Sequence, residues 1–463
     1  MPLSATRRHT LRLICARGAP WSEAEGTHCC GTALARTLQR GAHDSVLFIW
    51  RGRDRQVLGL VQHLHCALSG RPSSPRETMK IFSCSACKQV VFFENSQCTR
   101  CGHALAYLSD RGVLSALEPD ATSEPGARYV ALDPLAQNAR YRLCANYTKH
   151  AVCNWAIPEH DPNEYCLACR LNASTPDLSE ASAFESWQGL EVAKRRLVYT
   201  LLELGLPLDT KQEQPELGLA FAFKSDGENG EKVLTGHCDG LVTINMKEAD
   251  TPSREQTRVA MGERYRTLLG HFRHESGHYY WDRLIKGSAD LESYRALFGN
   301  EEEDYAEAVK RHYASPKQNW AEEYVSAYAT MHPWEDWAET WAHYLHMVDT
   351  LETAQSFGLA LKPQPIGGAT SEPVTARRVR FEKFEDLIGA WVPLTVALNS
   401  LNRSMGLADV YPFVLAERVI AKLEFVHEVV DRAGNGMPAT IAPDVKRAAE
   451  NRALDAAQLV SPA

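Results

Sequence analysis

The chain has 463 residues, 44% of them apolar and 23% charged, an ordinary globular composition that excludes a fibrous or wholly disordered protein. That length exceeds one ordinary hydrophobic core and predicts two or three domains. The net charge of -8 builds no global field for nucleic acid or an anionic membrane. The longest apolar runs, such as Val46 to Trp50, fall far short of the roughly 20 residues of a membrane-spanning helix.

Residues 1–78 hold eleven arginines and no lysine, and lysine becomes ordinary from Lys80 onward. Arg7, Arg8, Arg12 and Arg17 surround only a short apolar stub, Leu13 to Ala16, too short for a signal-peptide core, so export by the usual route is not expected. Two readings of this stretch stand side by side: an upstream extension ahead of a true start at Met79, or a disordered leader. Residues 437–463 are expected to form a flexible tail.

From Met79 to about residue 172 the cysteines dominate. Cys84-x2-Cys87 and Cys98-x2-Cys101 are two knuckles separated by ten residues, a spacing that lets two tight turns present four thiolates to one Zn(II). Gly102 suits the positive φ that such a turn needs. Cys144, Cys153, Cys166 and Cys169 form a second, less regular set, with gaps of eight and twelve residues before the final knuckle. Both sets are expected to hold structural zinc, because four protein thiolates leave no position for water. Zinc spacing in place of scattered disulfide pairing points to a reducing, cytoplasmic setting. Cys238 is expected to be a buried free thiol.

Residues 173–436 read as an α+β domain, mainly helical with a small sheet. Apolar residues spaced by three and four from Phe184 to Leu204 predict a helix. Leu217 to Phe223 reads as a strand, and Lys232 to Cys238 and Leu241 to Met246 flank Asp239-Gly240, a favoured two-residue hairpin turn. Helical patterns follow at Thr257 to Ile285, Trp320 to Ala329, Pro333 to Leu351, Phe381 to Ser400 and Pro412 to Ala433. Glu301 to Asp304 reads as a solvated acidic surface.

The chemistry concentrates in two of these helices. His274 and His278 stand four residues apart in an HExxH pattern, so both imidazoles leave one helix face and can share a zinc ion. Glu275 projects beside them, where it can take a proton from a metal-activated water. Gly277, a poor helix former, predicts close approach to another backbone. Downstream, Glu335 and Glu339 stand one turn apart beside a stripe of Trp334, Trp337, Trp341 and Tyr344.

HExxH followed by E-x-x-x-E on a second helix resembles the gluzincins, the thermolysin and lethal-factor class of metallopeptidases. More narrowly, the Met79-Lys80-Ile81-Phe82-Ser83-Cys84 ribbon start, His274-Glu275-Ser276-Gly277-His278-Tyr279-Tyr280-Trp281-Asp282 and His332-Pro333-Trp334-Glu335-Asp336-Trp337-Ala338-Glu339 resemble the zinc-binding metallopeptidases with an N-terminal zinc ribbon. The match runs from Met79 to about Ala433. The resemblance implies a zincin-like fold, Glu335 as third ligand of a catalytic zinc and Glu339 as the acid that orients a ligand imidazole; the reverse assignment of the two acids stays open. It also implies that Tyr328, seven residues before Glu335, steadies the oxyanion, with plain aromatic packing beside Tyr324 as the alternative.

Peptide-bond hydrolysis with Glu275 as general base is the leading expectation, with a peptide or protein as substrate. Two others remain: a zinc hydrolase of a different amide or ester, and a zinc-ribbon adaptor with no catalysis. Glu275 argues against the adaptor, since a structural site has no use for it, and the ribbon lacks the basic, aromatic-interleaved stripe that nucleic acid requires.

Overall fold

The knuckles and the small strands around them set the architecture in this computed structural model, which describes residues 81–178, 181–227, 232–260, 263–361, 374–375 and 381–436. The readings of residues 1–78 and of the tail 437–463 lie outside the described residues. Strands β1 (Phe82–Ser83) and β2 (Val90–Val91) pair antiparallel and carry the first knuckle between them.

Strands β3 (Ala104–Leu108), β4 (Val113–Pro119), β5 (Tyr129–Ala131), β6 (Arg140–Leu143) and β7 (Trp155–Pro158) close into a small barrel, with β3 meeting β7 in parallel. Alternation divides β3 between two cores: Ala106 and Leu108 fill the barrel with Leu117, Ala131 and Tyr141, while Leu105 and Tyr107 join the main cluster outside it. Cys144 and Cys166 precede the short turns α1 (Ala145–Thr148) and α2 (Leu167–Arg170), Cys169 lies within α2, and Cys153 stands just ahead of β7.

Helix α3 (Ala181–Glu203) packs on the outer face of β3, Tyr199 lying 5.6 Å from Tyr107. One hydrophobic cluster thus runs from Phe82 through the barrel's outer wall to Val430. Strands β8 (Ala220–Lys224), β9 (Gly236–Cys238) and β10 (Leu241–Asn245) form a sheet in the order β8-β10-β9. Asp239 and Gly240 both have positive φ, 47° and 77°, as a two-residue hairpin turn demands. The second arm of the hairpin, β10, is the central strand and offers no free edge. The far edge of β8 is taken too, with Phe221 exchanging backbone bonds with Leu171 and Ala173. Among the described residues the open edge is β9.

The helical pattern Thr257 to Ile285 is two helices, α4 (Thr251–Ala260) and α5 (Leu268–Leu284), because the Thr267 hydroxyl accepts from the amide of Gly270 and starts a new helix. Helices α6 (Leu291–Phe298) and α7 (Tyr305–Ala314) follow. Trp320 to Ala329 is not a helix: it holds only 3-10 turns at Trp320–Glu322 and Tyr328–Thr330. Helix α8 (Pro333–Ser356) begins on Pro333, whose missing amide costs nothing at a first turn, and is capped by His332. Helices α9 (Phe384–Ser404) and α10 (Glu417–Gly434) complete the layer.

Helices α5 and α8 meet at Gly277, where an added Cβ would lie 2.9 Å from the Ala338 Cα and 3.2 Å from the Trp341 side chain. Trp337 donates to the Gly277 carbonyl at 2.8 Å and Trp341 to the Ser276 hydroxyl at 3.2 Å. Deeper in, Asp349 of α8 is bridged by Arg273 of α5 and by the Thr200 hydroxyl of α3, tying three helices through one buried carboxylate. No helix among the described residues is long and apolar enough to cross a membrane.

Candidate metal centre

Because α5 and α8 pack through small residues, side chains one turn apart on each converge. His274 Nε2 lies 3.0 Å from Glu335 Oε2, and His278 Nε2 lies 3.5 Å from the same oxygen. The three ligand atoms all fall within 4.8 Å of one another. His274 Nδ1 meets Glu339 Oε1 at 2.7 Å, and the other oxygen of Glu339 accepts from Ser326 at 2.6 Å. The two acids therefore take opposite edges of one imidazole.

Electrostatics fit that division. Burial opposes the charge of Glu335, yet the His278 and His274 imidazoles hold it well below the usual carboxylate range. Burial also works against Glu339, but the bond to His274 draws it down to about 2. Burial opposes the charge of His274 too, but Glu335 and Glu339 hold it well above the usual imidazole range. Two imidazoles beside a carboxylate are a donor set suited to zinc, which accepts histidine nitrogen and carboxylate oxygen.

Glu275 is 7% exposed, and its Oε2 is buried without a hydrogen-bond partner. It lines a cleft of about 500 Å³ together with His274, Tyr328, Glu339 and Thr235. Tyr328 sets its ring 5.8 Å from that of His274, and burial and Glu335 push its phenol up, so that it keeps its proton. Other histidines are occupied elsewhere: His271 faces Glu248 at 3.2 Å, His343 meets the Tyr411 hydroxyl at 2.8 Å, and His332 caps α8.

Three contacts had no local signature. Tyr305 donates to Glu335 Oε1 at 2.8 Å across 30 residues, with only the capping residue Asp304 before it to mark a helix start. Trp334, at the edge of the core, brings its ring 4.1 Å from that of His278 at a tilt of 47°, and His237 of β9 lies parallel to His278 at 6.4 Å. Burial lowers His237 to about 4.

Each cysteine set gathers in turn. Cys84 to Cys101 and Cys87 to Cys98 are both 3.6 Å between sulfurs, and Cys153 to Cys166 is 3.7 Å. A tetrahedral zinc with bonds of about 2.3 Å spaces its sulfurs at about 3.8 Å. The two knuckles repeat one turn: the Lys88 amide reaches back to the Cys84 carbonyl and the Gly102 amide to that of Cys98, with Lys88 and Gly102 at positive φ. Amides also serve the second set, Trp155 donating to Cys153 Sγ and Cys166 to Cys144 Sγ. Cys238 corrects its expectation, being exposed on the edge strand and not buried.

Residues 183–429 match the family model described as "Putative zinc-binding metallo-peptidase", and residues 81–180 match that of a zinc-ribbon domain. The chain is 41% identical over 378 residues to uncharacterised proteins of Mycobacterium bovis and of two Mycobacterium tuberculosis strains, a span covering 81% of this chain and 100% of each relative. No solved structure matches it. With two histidines and a glutamate converging across packed helices and a ribbon ahead of them, the chain belongs to the zinc-binding metallopeptidase family that carries a zinc-ribbon domain.

Proposed function

We propose that this protein hydrolyses peptide bonds, with His274, His278 and Glu335 holding one catalytic zinc, Glu275 as general base, and the two four-cysteine sets holding two structural zinc ions in a zincin-like fold. The observation that carries the reading is the buried, unpartnered Glu275 oxygen in the same cleft as a ligand imidazole. When bound, zinc supplies a Lewis acid that polarises the scissile carbonyl and makes water more acidic.

Glu275 takes the proton of the attacking water and passes it to the leaving amine. Glu339 accepts from the Nδ1–H of His274 and so keeps Nε2 free as a ligand. Tyr328 keeps its proton and donates to the carbonyl oxygen as charge develops. The open edge of β9, whose preceding residue Thr235 lines the cleft, pairs with an extended substrate backbone. That gives a peptide an advantage over a small ester or amide.

The test compares the purified protein with Glu275→Gln on a diverse peptide library. Cleavage by the first, reduced about 10²- to 10⁴-fold in the second with its zinc retained, is the expected outcome. Equal cleavage by both removes Glu275 from the mechanism.

A further inference from the structure

The acidic segment between the ligand helices is tied down residue by residue. Arg295 grips Glu301 at two points, 2.5 and 2.9 Å. His332 Nε2 meets the Glu303 carbonyl at 3.1 Å, and Asp304 caps α7 by accepting from the Glu307 amide at 2.9 Å. These anchors give Tyr305, the first residue of α7, a fixed place. Its ring rests 5.3 Å from that of His332, although the residue is 42% exposed, and its hydroxyl donates to Glu335 Oε1.

The two oxygens of Glu335 are thereby made unequal. Oε1 accepts the phenol proton at 2.8 Å, while Oε2 faces the Nε2 atoms of both imidazoles. The terminal torsion of a glutamate is broad and nearly two-fold, so an unheld carboxylate offers either oxygen, or both, to a cation. A hydrogen bond to one oxygen breaks that equivalence.

We infer that Tyr305 is a positioning residue for the catalytic metal: by holding Oε1 of Glu335 it presents Oε2 alone as a single-point ligand, doing for Glu335 what Glu339 does for His274. The inference rests on the reading of His274, His278 and Glu335 as zinc ligands. It separates the two phenols of the centre. Tyr305 acts on the ligand and sets how tightly the metal is held; Tyr328 lines the cleft and acts on the substrate.

The experiment is a chelator competition with zinc on the full chain, its thiolate-held metal in place, for the wild type, Tyr305→Phe, Tyr328→Phe and His274→Ala. The phenylalanine keeps the ring that packs on His332 and removes only the hydroxyl. Tyr305→Phe is expected to hold the exchangeable zinc roughly 10- to 100-fold more weakly, the usual loss for a partner of a metal ligand. Its peptidase rate should recover with excess zinc. Cobalt in the exchangeable site should show an altered visible spectrum, which a merely structural role would leave unchanged. Tyr328→Phe should keep the affinity and lose kcat. Unchanged zinc affinity and cobalt spectrum in Tyr305→Phe, beside an exchangeable zinc that His274→Ala abolishes, would overturn the inference and leave the ligand set standing. A wild type with no exchangeable zinc, or a His274→Ala variant that retains it, would overturn the ligand set and the inference with it.

Discussion

The Glu339 carboxylate stands 2.7 Å from His274 Nδ1, on the edge of the ring opposite the one that faces Glu335. A pair of acids one helical turn apart, equivalent by sequence pattern, is thus split by a single imidazole.

That split predicts different failures. Glu335→Ala should abolish stoichiometric binding of the exchangeable zinc at neutral pH, since in the proposed ligand set it deletes one of three ligand atoms. Glu339→Ala should bind it about 10- to 100-fold more weakly and regain it at high metal concentration. Competition with a chelator of known affinity measures both, and a larger loss in Glu339→Ala would exchange the two roles.

Metal content follows from the sulfur geometry. Elemental analysis of protein prepared without chelator should give about three zinc ions per chain. His274→Ala should give about two. In Cys144→Ser the remaining sulfurs of the second set are buried with one ligand missing, so that variant should lose a zinc and unfold at a lower temperature. About one zinc in the wild type would remove the second set as a metal site.

Two glycines in helices should respond oppositely to alanine. Gly277→Ala places a methyl group 2.9 Å from the Ala338 backbone and should destabilise by about 1–3 kcal/mol, as overpacking does. Gly389 of α9 has nothing within 4 Å of an added Cβ, so Gly389→Ala should stabilise by about 0.5–1 kcal/mol from helix propensity alone. Urea unfolding curves of both variants check the sign.

Stability should also depend on pH through Glu248. Burial opposes its charge, but the His271 and Arg266 side chains, the latter 2.9 Å away, lower it to about 2 from an ordinary value of 4.5. A carboxyl lowered in the folded state stabilises fully above its unfolded value and loses that contribution as pH falls from about 4.5 through about 2. The wild type should exceed Glu248→Gln by on the order of 1–3 kcal/mol near neutral pH, and the gap should close across that acid window. A gap independent of pH would assign the effect to packing.

The sequence by itself determined the features that local geometry dictates. His274 and His278 share a face because a helix turns every 3.6 residues, the paired knuckles gather because a tight turn needs only its own amides, and Asp239-Gly240 turns because both residues tolerate positive φ. The Gly277 contact was legible for a related reason, a helix tolerating glycine only where something else needs the space. Tertiary structure decided what depends on partners distant in the chain. The barrel closes by pairing Tyr107 with Trp155, and β10 becomes central only once β8 joins it in parallel. Trp320 to Ala329 carries a helical spacing of apolar residues, yet it folds as isolated turns that bring Ser326 to Glu339 and Tyr328 to His274. Tyr305 reaches Glu335 for the same reason, since no periodicity links positions whose neighbourhood is created by the packing of α5, α7 and α8.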